Sequence, residues 1–294
     1  MNILPVLTLC SILNTGAKLD WLTEKSIYKE PMANPRSPEF GLTINTERYL
    51  GKRIGYLEGI LGADFPIATF SYDNLKLQFG LQAAGWLDLG YRDGAFPMLT
   101  QDFYLGVPFS FRYKDFSGAI KFNHISSHLG DGMDIMLEDT LSKEEKEQYE
   151  FYDDIAEDEG MNLSLKGAEA YSRDFMSLHL SYEYTLGSLN TRAYFHAGYV
   201  HKMIPEELKR WFFGNGIELV YPLNNTAPYY AQDVTYNQDL DSVDYSSQLG
   251  LVMLPHKDTI FNIRFAITTF IGCDRRGQLT GRKLKRIGIG IFIR

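Results

Sequence analysis

From Phe40 onward the chain alternates apolar and polar residues with a period of two, which is how a strand presents one greasy and one wet face. Phe40, Leu42 and Ile44 oppose Thr43, Asn45 and Glu47. Further on, Leu75, Leu77, Phe79 and Leu81 oppose Lys76, Gln78, Gly80 and Gln82; Met176, Leu178, Leu180 and Tyr182 oppose Ser177, His179, Ser181 and Glu183. The last segment sets Ile287, Ile289, Ile291 and Ile293 against Arg286, Gly288, Gly290 and Arg294. This pattern predicts roughly twelve strands, starting near residues 39, 53, 75, 101, 118, 170, 189, 209, 227, 243, 258 and 284. Pro66 to Ser71 either extends the second strand past a bulge or forms a separate piece.

A sandwich and a barrel both alternate in this way, so the connections must decide between them. The segments have the ~9 to 11 residues, or somewhat more, that a tilted strand needs to cross a bilayer. Exits from even-numbered strands are mostly tight, Lys114 to Gly118, Gly187-Ser188, Leu223 to Thr226 and His256-Lys257, with only the one after the second strand open. Exits from odd-numbered strands are long: Gly90 to Thr100, Leu129 to Ala168, Met203 to Leu208 and Cys273 to Lys283, with Leu50 to Lys52 the exception. The expectation is an all-β, antiparallel transmembrane barrel of about twelve strands with both termini in the periplasm.

Composition agrees with that expectation. The chain has 294 residues, with 19 Tyr and 19 Phe, and no run of the ~18 apolar residues that a spanning helix requires. Residues 1–17 have an apolar centre followed by Thr15-Gly16-Ala17 and read as a secretory signal. Cys10 lies within it, so cleavage leaves Cys273 without an intrachain partner. Residues 18–38 hold Pro31, Pro35 and Pro38 and read as a periplasmic lead-in to a barrel over 39–294.

Net charge is -8, yet residues 131–166 alone hold thirteen Asp/Glu against three Lys, which leaves +2 for the remainder. The acidity belongs to one extracellular loop, and no basic stripe with aromatics points to nucleic acid. Clustered Asp131, Asp134, Glu138 and Asp139 are suited to Ca²⁺, although a solvated loop explains them too and no cofactor is required. Arg112, Lys121, Arg173, Glu183, Arg192, Arg210, Glu218 and Arg264 share the inward parity. Charges of both signs in a narrow lumen favour a clamp over a channel.

One stretch breaks the alternation. Ile120 and Phe122 set an apolar face, and His124 and Ser126 continue it. A base and a nucleophile two residues apart on one strand project side by side, about 7 Å apart, and Asp174 shares the lipid-facing parity on the next strand near the same rim. Acyl transfer needs these three types together, so Ser126, His124 and Asp174 form a candidate ester-hydrolysing triad. The plain alternative is polar residues at a membrane interface. Ser127, His128, Gly130 and Asp131 read as a loop-base motif.

Ala33-Asn34-Pro35-Arg36-Ser37-Pro38, His124 to Asp131 and Ser172-Arg173-Asp174 together resemble the outer-membrane barrel family called domain of unknown function twelve-oh-seven. That resemblance implies a barrel and no activity. His124-Ile125-Ser126 is also similar in spacing to the lipid-facing His-x-Ser pair of outer-membrane phospholipase A and the lipid A deacylase, in which Asn or Glu orients the histidine. The implied partners are membrane lipids or lipopolysaccharide and the barrel-assembly machinery. The assembly signal would rest on Ile293 or Phe292, since Arg294 ends the chain.

Overall fold

The computed structural model describes residues 16–49, 52–91, 93–130, 132, 171–204, 210–253, 262–274, 276 and 283–294. Residues 1–15 of the secretory signal expected over 1–17, the His256-Lys257 turn and almost all of the acidic loop lie outside them.

The strands are β1 (Lys18–Trp21), β2 (Phe40–Tyr49), β3 (Lys52–Tyr72), β4 (Leu75–Leu89), β5 (Met98–Tyr113), β6 (Phe116–Leu129), β7 (Tyr171–Leu186), β8 (Leu189–Ile204), β9 (Trp211–Val220), β10 (Thr226–Asn237), β11 (Ser242–Met253), β12 (Ile263–Cys273) and β13 (Lys283–Ile293). Strands β2 to β13 pair antiparallel with their neighbours, and β13 closes on β2, giving a twelve-stranded barrel. Closure leaves those strands no free edge. Pro66 brings a bulge: Pro66 pairs Gly80 and Ala68 pairs Phe79, so Ile67 is the extra residue and β3 continues to Tyr72 as one strand. The strand expected near 258 begins instead at Ile263.

The two rims differ for the most part as the loop lengths predict, the departures being 254–262 between β11 and β12 on the short-turn rim and the short connections 50–51 and 238–241 on the other. Asp73-Asn74, Lys114-Asp115 and Gly187-Ser188 make two-residue turns, and Asp73, Lys114 and Gly187 adopt the positive φ that such tight reversals demand. The opposite rim carries the connections 90–97, 130–170, 205–210 and 274–282.

The burial pattern is inverted relative to a water-soluble protein. On β2 and β13, Ile44 and Ile289 are 65% and 68% exposed, whereas Thr43 and Asn45 are each 3% exposed. Apolar residues face outward on strand after strand, while buried positions include Gln82, Asp102, Lys121, Arg192, Glu218 and Arg264. Tyr72, Tyr113, Tyr182, Tyr184 and Tyr221 stand outward along the short-turn rim, where amphipathic rings suit a membrane–water interface. Only a barrel embedded in lipid is stable with this arrangement.

Twelve strands about 4.8 Å apart and tilted by ~40° give a backbone radius of roughly 12 Å, too wide for wall side chains alone to fill. The space is taken by residues 22–39. After β1 pairs with Ala68 to Ser71 of β3, this strap turns into the lumen and returns to the same edge of β3, opposite Leu61, to begin β2. Tyr28, Glu30, Ala33, Ser37 and Glu39 are buried. The segment expected to precede the barrel as a lead-in therefore lies inside it. Its prolines exclude a regular ladder, but polar wall side chains supply the partners that its backbone needs. Arg112 Nε donates to the Ile27 carbonyl at 2.9 Å, Arg294 Nη1 to the Glu30 carbonyl at 2.7 Å, and the Met32 amide to Glu218 Oε1 at 2.7 Å.

Candidate functional site

Alternation along β6 sorts its residues between two environments. Ile120 and Phe122 face outward, Lys121, Asn123, Ile125 and Ser127 are buried in the interior, and His124, Ser126 and His128 consequently face out. His124 lies directly opposite Asp174 on β7, and Asp174 shares the outward parity of Met176 and Leu178. Their side chains meet: His124 Nδ1 and Asp174 Oδ1 are 2.6 Å apart, with the two side chains 50% and 34% exposed. A bulge between β7 and β8 follows, where Asp174 pairs Lys202 and Phe175 pairs Val200, leaving His201 as the extra residue. That irregularity adds Lys202, exposed, to the polar patch.

Chemically this is two-thirds of a triad. The carboxylate on Nδ1 fixes the tautomer in which Nε2 carries the lone pair, which is the arrangement a general base requires. Ser126 follows two residues on, partly exposed on the same face, flanked by Phe103 on β5 and Ser172 on β7. No hydrogen bond joins Ser126 to His124 in this structure. The pair is in place and the nucleophile is adjacent but not engaged.

The described residues of the loop-base motif lie on both faces of the wall. His128 faces outward with its ring centroid 6.4 Å from that of Phe103. Ser127 faces inward opposite Asp102, fully buried, its hydroxyl without a hydrogen-bond partner. Gly130 donates its amide to the Leu99 carbonyl at 2.8 Å, and a Cβ there would stand 2.2 Å from the Met98 carbonyl oxygen, so only glycine fits this close approach. Asp131, with the Ca²⁺ candidates Asp134, Glu138 and Asp139, lies outside the described residues. Among the described residues no group of three or more His, Cys, Asp or Glu is placed to hold a metal ion.

The lumen holds ion pairs of a kind that strand parity foretold only in part. Arg112 pairs with Glu183 and Arg192 with Glu218, wall to wall. Lys121 and Arg264 instead take carboxylates from the strap, Glu30 and Glu39, while the strap's Arg36 reaches Asp102. Arg276 joins Glu47, Asp88 and Asp274 at 2.6–3.1 Å near the long-loop rim. Arg210, expected in the inward set, lies outside the strands and donates to the His201 carbonyl at 2.7 Å. Sequence reasoning also passed over His196 and Asp233, buried 3.3 Å apart in the lumen with Tyr194 and Thr235 on the same carboxylate. Their inward parity was the available signal.

A closed barrel, greasy outside and filled with paired charge inside, defines a transmembrane β-barrel whose outer face on β6 and β7 carries a polar patch centred on the His124–Asp174 pair. The chain belongs to the family described as "Protein of unknown function (DUF1207)", whose model matches residues 8–293. Among curated proteins none matches the sequence. Similar solved structures include the outer membrane phospholipase A from Escherichia coli, at 10% identity and a TM-score of 0.49 over 92% of this chain and 95% of that one. The KdgM porin is similar at 8% identity and 0.39 over 86% and 97%, and the translocator domain of autotransporter NalP from Neisseria meningitidis at 7% and 0.41 over 99% and 93%. Values this low speak to nothing beyond a barrel outline.

Proposed function

We propose that the protein is a bacterial outer-membrane acyl-ester hydrolase that works on phospholipid or lipopolysaccharide from the outer wall of its barrel. The observation that carries this reading is the 2.6 Å contact between His124 Nδ1 and Asp174 Oδ1 on the lipid-facing side, beside Ser126. An imidazole and a carboxylate at such a surface are costly unless used or hydrated, and here they are oriented against each other. With the long-loop rim facing outward, the patch lies at the headgroup level of the outer leaflet, where ester carbonyls are within reach.

In the reaction, Ser126 Oγ gives its proton to His124 Nε2 and attacks the acyl carbonyl carbon. The C–O bond to the leaving alcohol breaks as Nε2 returns the proton to that oxygen, leaving an acyl-Ser126 ester. Water repeats the sequence to release the acid. Asp174 holds the ring and stabilises its transient positive charge.

Purified protein in vesicles, with and without Ca²⁺, is the test. Ser126→Ala and His124→Ala should each lower hydrolysis of phospholipid or lipid A esters by roughly 10³-fold or more, and Asp174→Asn should leave more residual activity, because the amide still orients the ring. All three should retain heat-modifiable migration, since outward polar-to-Ala changes open no interior cavity. Wild type without activity, or full activity in Ser126→Ala, rejects the enzyme. The reading then preferred is a non-enzymatic barrel, which the unengaged Ser126 and the filled lumen favour.

A further inference from the structure

We propose that the strap, residues 22–39, is a displaceable plug, and that its withdrawal opens the barrel to small hydrated ions and solutes. This inference is independent of the hydrolase reading, since it concerns the opposite face of the wall.

Topology is the first argument. The strap enters beside β1, which pairs with the last turn of β3 next to Asp73-Asn74, and leaves where Phe40 pairs with Leu61 and Ile293. Both points lie on one edge of β3, the first at Ala68 beside the short-turn rim and the second at Leu61, seven residues further from that rim, so the segment is a loop tethered to a single strand edge that withdraws without threading and without unpairing any barrel strand. It is tethered at both ends and returns to the same place.

The second argument is what holds it. Between Leu22 and Glu39 the strap forms no strand of its own, and its deepest attachments are ionic: Glu30 to Lys121, Arg36 to Asp102, and Glu39 to Arg264. A buried ion pair gains in Coulomb attraction roughly what it loses in hydration, so exchanging it for two hydrated charges is nearly balanced. Withdrawing an apolar core of equal size carries no such compensation. Of the strap's larger apolar groups Tyr28, Pro31 and Pro38 are buried, and Tyr28, the largest, faces the Lys121 and Arg192 cations with its ring at 5.5 and 5.3 Å.

The fit between strap and wall is also incomplete. A cavity of about 40 Å³ separates Ala33 and Pro35 from Asn45, Gln248 and Arg286, polar enough and large enough for water. Once the strap leaves, the wall it covered presents Gln78, Gln82, Lys121, Asn123, Arg192 and Arg264, all of which hydrate. A backbone radius of roughly 12 Å leaves room between them for hydrated ions.

Single-channel recording in planar bilayers tests this. Glu30→Gln with Glu39→Gln strands Lys121 and Arg264 without counter-charges only while the strap is in, and should raise the open probability by about a hundredfold over wild type. Ala33→Cys with Ser246→Cys, in a background with Cys10 and Cys273 replaced by Ser, joins two residues in contact, since the Ser246 hydroxyl donates to the Ala33 carbonyl. Oxidised, this lock should silence the Gln variant, and dithiothreitol should restore its currents. A folded Gln variant as silent as wild type, or currents that persist in the oxidised lock, overturn the proposal. Should the Gln variant fail to fold, wild type in subdenaturing urea replaces it: reversible openings abolished by the lock are expected, and silence until the barrel itself unfolds overturns the proposal.

Discussion

Lys121 and Glu30 offer the clearest measurement of how strap and wall are coupled. Both side chains are almost wholly enclosed, and their ion pair is supported by Gln82 Nε2, which donates to Glu30 Oε1 at 2.7 Å. At an effective dielectric of about 20, unit charges ~4 Å apart attract by about 4 kcal/mol. Lys121→Met keeps the length of the side chain but leaves the carboxylate with one amide donor, so the strap should loosen by about 3–5 kcal/mol, and Glu30→Met should do the same by stranding the ammonium. The double variant replaces a desolvated pair with two apolar side chains and should lie within about 1 kcal/mol of wild type. Trp86 is the reporter, because the Arg36 guanidinium lies 4.9 Å above its ring. With Trp21 and Trp211 changed to Phe, guanidinium titration of Trp86 fluorescence follows the strap while circular dichroism follows the barrel. A pH arm checks the same pair. Burial opposes the Glu30 charge, but Lys121 and Gln82 outweigh it and hold the carboxyl below its usual value of 4.5. A depressed carboxyl contributes stability that is present above the unfolded pKa and lost as pH falls through the folded one, so the strap should weaken progressively below about pH 4.5. If the double variant loses the sum of the two single losses, the groups do not interact and the account of the strap is wrong.

Two further outcomes are expected. Gly250→Val should destabilise the β11–β12 junction by about 1–3 kcal/mol in a guanidinium titration, because even a Cβ at this position would lie 2.0 Å from the Phe265 carbonyl oxygen, and backbone cannot step aside as a side-chain tip can. Cysteines placed singly at Leu178 and Ile263 should react with lipid-phase reagents, whereas one at Arg264, covered by Glu39, should resist water-soluble reagents until the strap is displaced; immediate reaction at Arg264 would mean an open lumen.

Strand number and facing were legible because alternation is local: each residue's side follows from its neighbours two positions away, and the sharp turns declare where it restarts. The meeting of His124 and Asp174 was legible for a related reason. Both have outward parity and both flank the same long connection, so antiparallel pairing sets them at one height. The strap was not legible. Residues 18–38 have no period, and what fixes them is charge complementarity across sequence separations of 91 for Glu30 with Lys121 and 225 for Glu39 with Arg264. Polar, proline-containing sequence reads as exposed only if no polar interior exists to receive it, and a membrane barrel is the architecture that supplies one. Within the loop-base motif, alternation sends Ser127 inward and His128 outward.

β6 carries both proposals on its two sides, with Lys121 inward and His124 outward, only three residues apart. Their separation is nevertheless close to complete in physical terms. Each side chain reaches only the groups on its own face, and the backbone between them is held on both edges by β5 and β7, in registers without a shift from Phe116 to Ser127. A strand so clamped transmits little displacement from one face to the other, so substitutions that loosen the strap should add to substitutions in the outer patch without coupling. The outer patch and the strap can therefore be disproved separately. An inactive Ser126 leaves the plug standing, and a permanently sealed lumen leaves the outer site standing. Only outward-facing charge or inward-facing isoleucine on these strands would remove both together, because it would reverse the parity on which each was built.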